Sequence, residues 1–378
     1  MGGPLESIRV VELAGIGPAP FCGMVLADLG AEVIRVDRPG SEDVVIDDRF
    51  DLHGRGKSSV AIDLKHPDGP DLVLRLAAAS DILVEGYRPG VAERLGVGPD
   101  QCLRENPALV YGRMTGWGQT GPLSASAGHD VDYIAVSGAL HPIGTAAAPT
   151  PPLNLVGDYG GGGMLLAVGV LAALTHARAT GSGQVVDASM VDGSALLTTA
   201  IHGLLASGMW RDERQSNLLD GGAPFYTTYR TADGRHLAVG ALEPAFYARL
   251  LEGLDLDPSA LPSRESPANW PSLREIIQDV FLTRTRDQWV AAFAGDDACV
   301  APILSLSEAP MHPHNRERGT FVEIDGVIQP APAPRFSATP TDQPKTPVGR
   351  GRDTDRILRD LGLSDADIGK LRRVGAVT

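Results

Sequence analysis

The sequence predicts an α/β protein: a large doubly wound domain on a mostly parallel sheet, followed by a smaller α+β domain. Three observations carry this. Between residues 6 and 115, short apolar runs alternate with helical patterns, the order required by a parallel sheet with helices on both faces. After about residue 222 the pattern becomes two alternating runs around Ala-Asp-Gly, followed by helices. A length of 378 residues, 43% hydrophobic and 21% charged, is ordinary for a globular protein of two or three domains.

Taken in order, ESIRVVEL reads as a buried strand, PFCGMVLADLG as a helix and AEVIRVD as a second strand. The intervening loop offers Gly15-x-Gly17-x-x-Pro20, with Asp37 about twenty residues on, an imitation of a dinucleotide fingerprint. The third glycine is replaced by Pro20, and a turn leading into a Pro-initiated helix accounts for the same residues. A loop ending in HGRGK leads to the strand-like SSVAIDL, then DLVLRLAAASDILVEGYRPG predicts a helix and a buried strand. VAERLG and the residues around 101–105 read as helices, and ALVYGRMTG as another strand. An apolar helix is expected over about 161–178; its core MLLAVGVLAAL, eleven residues, is shorter than a membrane span. A second long helix is expected over roughly 188–207.

Beyond these lie the hairpin YTTYRT/RHLAVGA, a helix beginning at Glu243-Pro244, helices near 271–282 and 285–294, and the strand CVAPILS. QPAPAPRFSATPTDQPKTPVGRG reads as an extended Pro-rich strap, and two short helices end the chain, the second capped by Ser364. The expected division is a large domain at 1–187 completed by 330–378, a linker helix at 188–221, a small domain at 222–325 and a return strap at 326–345.

A net charge of −14 argues against nucleic acid or an anionic membrane surface as partner, although a local basic cluster can still hold a small anion. Three widely spaced cysteines, Cys22, Cys102 and Cys299, make neither a disulfide framework nor a metal motif. With no secretory pattern in MGGPLESIRVVELAG, a cytoplasmic location is expected. His312 and His314 lack further ligands at metal spacing, so no metal site is expected.

The stretch from Thr115 to Gly163 carries the candidate chemistry. His129, between Gly128 and Asp130, precedes VDYIAVSGAL and is expected at a helix N-terminus. Asp158, followed by Tyr159 and four glycines, is also expected just before a helix, where it reads equally as an N-cap. Histidine exchanges protons near neutrality, and a carboxylate becomes a comparable base once partly desolvated. Arg38, Arg55, Lys57, Arg88 and Arg94 fall after predicted strands or in early helical turns; singly each reads as a surface charge, together as a cradle for phosphates.

VVELAGIGPAP, DLGAEVIRVDRPG, GRGKSSVAIDLK, VEGYRPGVAERLG, GRMTGWGQTGPLS and VGDYGGGG, in this order, resemble the family III CoA-transferase superfamily over nearly the whole chain. Transferases of that superfamily usually carry an aromatic residue in a PGYD- or PGFD-like motif. Here the motif is AGHD, which is similar to the α-methylacyl-CoA racemase branch, as are GALEPAFY around Glu243 and PAPAPRFS.

The resemblance implies a Rossmann-like CoA-binding large domain and interconversion of (2R)- and (2S)-2-methylacyl-CoA through an enolate. His129 and Asp158 are then the two bases and Glu243 a supporting carboxylate; the Asp130 N–H, free at the expected helix start, is the candidate donor to the thioester oxygen. It implies CoA contacts from Arg38, Arg88 and Arg94, with Lys57 and Tyr133 nearby. It also implies no cofactor beyond the CoA of the substrate, and an interlocked homodimer in which Glu243 reaches the partner's site. The same-fold alternative is a CoA transferase with Asp158 as nucleophile. GRGRDTD stands where family members often carry a GEHT-like segment, which leaves the role of the tail open.

Overall fold

The computed structural model describes residues 2–40 and 47–378, so part of the loop before HGRGK lies outside the described residues. The chain forms two compact units, one of residues 1–137, 153–197 and 316–378, the other of 138–152 and 198–315.

The first unit contains β1 (Arg9–Leu13), α1 (Pro18–Asp28), β2 (Glu32–Asp37), β3 (Ser58–Ala61), α2 (Gly69–Ala78), β4 (Ile82–Glu85), α3 (Val91–Arg94), α4 (Pro99–Glu105), β5 (Val110–Thr115) and α5 (Asp130–Val136). A π-helical stretch, Leu155–Met164, then runs into α6 (Leu165–Thr180), followed by β6 (Gln184–Ser189) and α7 (Met190–Leu197). The six strands form one sheet in the order β3-β2-β1-β4-β5-β6, all pairs parallel. This is the doubly wound order, with its switch point between β1 and β4.

Side-chain alternation along the strands builds a core on each face. Val10, Val33, Ile82, Val84 and Val110 pack with α1 and α6, whereas Val11, Ile34, Val36, Leu83 and Tyr111 pack with α2 and α4. Ile357, Leu358, Ile368 and Val377, from the C-terminal end of the chain, complete the second core. The helical run 155–180 is long and apolar enough to cross a membrane by length and composition. Half of its most apolar window is buried inside the protein, as in the core helix of a doubly wound domain.

In the second unit, α8 (Thr199–Ala206) precedes β7 (Tyr226–Arg230), β8 (His236–Gly240), α9 (Pro244–Gly253), α10 (Trp270–Phe281), α11 (Arg286–Ala292) and β9 (Val300–Pro302). β7, β8 and β9 form an antiparallel sheet covered by aromatic residues including Phe225, Trp270, Phe281 and Trp289. α12 (Pro313–Arg318) leads back into the first unit, where β10 (Phe321–Ile324) and β11 (Val327–Pro330) form a hairpin, and α13 (Thr354–Asp360) and α14 (Asp365–Arg373) end the chain. Ser364 caps α14 by accepting from the Asp367 N–H, as expected.

Three expectations are corrected. The helix expected over 188–207 is the end of β6 followed by two helices, α7 and α8, that fall in different units. Residues 316–325, expected in the small domain, belong to the first unit, because the hairpin they open is held there. The first part of the expected strap, 326–330, is likewise the second half of that hairpin.

Candidate active site

The turns after β1, β4 and β5 meet beside the switch point, where ligands sit in doubly wound sheets. They line a cleft of about 720 Å³ with Gly17 from the first turn, Gly86 to Pro89 from the second, and Gly116 and Trp117 from the third. His129 and Asp158 line the same cleft.

His129 is the N-cap of α5, in extended conformation, and its backbone N–H donates to Asp132 Oδ2 at 2.9 Å. Its imidazole is left exposed in the cleft wall. One turn on, Tyr133 is buried, its ring edge-on to Trp117 at 4.8 Å and its hydroxyl donating to the Gly128 carbonyl. Position 116 must be glycine for this packing, since a Cβ there would lie 2.1 Å from the Tyr133 ring.

Asp158 does not precede a helix. It sits inside the π-helical stretch, where an inserted residue per turn displaces a side chain from regular helical packing, a feature frequent at functional sites. The glycines around it admit neighbouring elements rather than ligand: a Cβ at Gly157 would lie 2.5 Å from Asp130 Oδ2, and one at Gly161 would lie 2.6 Å from the Ser194 N. Asp130, 6% exposed, accepts the Asp158 N–H through Oδ2 at 2.7 Å. Asn154 Nδ2 donates to Asp158 Oδ2 at 3.0 Å. Burial raises the Asp158 carboxyl above its ordinary pKa; the Asn154 hydrogen bond pulls it down, the Asp130 charge pushes it up and His129 pulls it down. The result is a half-buried carboxylate of strengthened basicity that lines the same cleft as an exposed imidazole.

A second cavity of about 460 Å³ adjoins the cleft, sharing Ile16, Gly17 and Tyr87 with it. Glu12, Arg38, His53 and Lys57 line it. Asp37, the acid of the dinucleotide-like pattern, is also there but buried, accepting from Arg35 Nε at 2.8 Å and Ser59 Oγ at 2.6 Å. Both bonds fall on Oδ2.

Of the proposed cationic cradle, Arg88 lines the cleft and Arg38 the second cavity, both exposed, while Arg94 lines neither. Two members are structural instead. Lys57 is buried, with Nζ 2.6 Å from Glu12 Oε2 and 2.9 Å from the Pro20 carbonyl. Arg55 is buried between Asp28, Gln329 Oε1 at 2.9 Å and the Pro330 carbonyl at 2.7 Å, tying α1 to β11. Glu243 is the exposed N-cap of α9 in the second unit and does not line the cleft. Sequence reasoning passed over Asn154 and the Asp130 carboxylate. Asn154 carried a signal, because four residues before Asp158 is the spacing at which helical side chains meet.

Residues 5–354 match the sequence model of CoA-transferase family III. The chain belongs to this family. It is 47% identical to α-methylacyl-CoA racemase of Mus musculus, over 96% of this chain and 95% of that protein. It is 46% identical to α-methylacyl-CoA racemase of Homo sapiens, over 97% and 96% respectively. A crystal structure of a CaiB/BaiF family protein from Brucella suis superposes with a TM-score of 0.83 at 24% identity, covering 96% of this chain and all of that one, and shows the same fold. Within the CoA-transferase family III chain described here, the AGHD motif and the VGDYGGGG motif thus converge on a single cleft.

Proposed function

We propose that the protein is an isomerase that interconverts (2R)- and (2S)-2-methylacyl-CoA thioesters by two-base 1,1-proton transfer. The observation that carries this is the presence of His129 and Asp158 in the wall of one cleft, in a chain nearly half identical to two α-methylacyl-CoA racemases. Inversion at one carbon requires a base on each face; a lone base returns the proton to the face from which it came. One of the pair takes the α-proton, the thioester oxygen carries the enolate charge, and the other delivers a proton to the opposite face.

The Asp130 N–H, first in α5 and therefore without an intrahelical acceptor, is the proposed donor to that oxygen. Arg38 and Arg88 are the proposed contacts of the CoA phosphates, with Tyr133 forming the wall behind His129. No cofactor beyond the CoA of the substrate enters this chemistry.

The active form is proposed to be a homodimer, in which Glu243 of each copy supports the partner's site. Exposed Leu155, Met164 and Val168 on the long helix, and α8, apolar yet without a buried residue, support this reading. A soluble, cytoplasmic enzyme is the corresponding proposal for location.

The test is incubation of an enantiopure 2-methylacyl-CoA with the protein in D₂O without a second acid. Racemisation with α-deuterium uptake is expected. No exchange, together with CoA transfer to an added carboxylate, overturns the proposal in favour of a transferase in which Asp158 attacks the thioester.

A further inference from the structure

The segment VEGYRPGVAE presents Gly86, Tyr87, Arg88 and Pro89 to the cleft, and its two ends are joined beneath it. Glu85, the last residue of β4, is fully buried. Its Oε2 accepts the Tyr87 N–H at 2.6 Å and its Oε1 accepts from Arg113 Nε at 3.0 Å. Arg113 is its register partner on β5. The same guanidinium reaches past the turn to Glu93 on α3, with bonds of 2.7 and 3.3 Å to the two carboxylate oxygens. One cation thus bridges a carboxylate before the turn and a carboxylate after it.

We propose that Glu85, Arg113 and Glu93 form a clamp that holds the Tyr87–Arg88 turn in the conformation that receives the CoA part of the substrate, which makes Glu85 a positioning residue for binding. The inference rests on the reading of the cleft as an acyl-CoA site. Two features support it. The burial cost of the Glu85 carboxylate is offset by its pairing with Arg113, and this pair lies directly under the turn that lines the cleft. The turn has no regular secondary structure of its own, so these bonds fix its course.

The clamp also couples binding to pH. Burial pushes the Glu85 carboxyl up to about 7, against the pull of the Tyr87 amide and of Arg113. The titratable groups around it are Tyr87 in the turn, Arg113 and Tyr111 on β5, and Glu93 on α3. When Glu85 takes a proton, its hydroxyl finds no acceptor on the guanidinium, the Arg113 bond weakens and the fraction of turns in the binding conformation falls. Apparent affinity falls with that fraction.

The experiment is titration of the full-length protein with CoA by calorimetry from about pH 6 to about pH 8, with KM and kcat measured in parallel on a 2-methylacyl-CoA. In wild type, Kd is expected to rise about tenfold as pH falls through this range. Glu85→Gln keeps an acceptor for the Tyr87 N–H but loses the bond to Arg113. It is expected to bind about tenfold more weakly at pH 8, with kcat within about twofold and only the pH dependence due to the ligand's own phosphate. An unchanged Kd in Glu85→Gln, or a loss confined to kcat, overturns the clamp. If Glu85→Gln does not fold, Glu93→Gln opens the other arm: a raised Kd that keeps the wild-type pH step supports the clamp, and an unchanged Kd overturns it. A wild type that binds no CoA refutes the cleft reading itself, and the clamp with it.

Discussion

Asp130 Oδ2 accepts the backbone N–H of Asp158 at 2.7 Å, while Asn154 Nδ2 donates to the Asp158 carboxylate at 3.0 Å. The two neighbours act on the base in opposite senses. Asp130 seats the residue and its charge strengthens the basicity of Asp158; Asn154 stabilises the ionised form and weakens it. Asp130→Asn retains an acceptor for the N–H but removes the charge. The Asp158 carboxyl then becomes a stronger acid, and the acid limb of kcat/KM for the enantiomer that Asp158 deprotonates moves to lower pH. Asn154→Ala moves that limb to higher pH. Measured pH–rate profiles for each enantiomer check both signs.

The two-base arrangement makes a separable prediction. Asp158→Asn and His129→Ala each abolish inversion, with turnover falling by about 10²–10⁴. Each retains α-deuterium exchange on the enantiomer served by the surviving base. Deuterium NMR paired with chiral analysis of the product reads the two quantities independently. Full racemisation by both variants places the bases elsewhere.

Glu85 also leaves a signature in stability. Its folded carboxyl sits at about 7, above the value of an exposed glutamate, so the folded state binds more protons than the unfolded one between those two values. Stability contributed by the protonated group is therefore complete at low pH and is lost as pH rises toward 7. The Tm of wild type relative to Glu85→Gln is expected to fall from about pH 4.5 to about pH 7 and then level off. A Tm difference independent of pH contradicts this assignment.

The covered, mostly parallel sheet was legible because β1, β2 and β4 are apolar on both faces and separated by helical patterns, although their order in the sheet was not. β6 was not, because half of QVVDAS is exposed at the sheet edge and only its register with β5 makes it a strand. The hairpin at 321–330 did carry a signal, Asp325-Gly326 between alternating residues, which the neighbouring prolines obscured. In the site, motif position identified His129 and Asp158, and both line the cleft. Burial of a cation is decided by partners distant in sequence, and no local pattern announced that Arg55 meets Gln329, 274 residues away.

That distinction separates two arginines which look alike in sequence. Arg88 is exposed in the cleft wall, so Arg88→Ala is expected to raise KM or the Kd for CoA while leaving Tm nearly unchanged. Arg55 is buried against Asp28, and its removal strands that carboxylate together with the Pro330 carbonyl. Breaking such a buried pair costs about 3–5 kcal/mol, so Arg55→Ala is expected to lower the urea midpoint sharply. Activity of the fraction that remains folded should keep a near-normal KM. Urea unfolding and steady-state kinetics on the two variants test the assignment; a KM defect in Arg55→Ala without loss of stability would return Arg55 to the phosphate cradle.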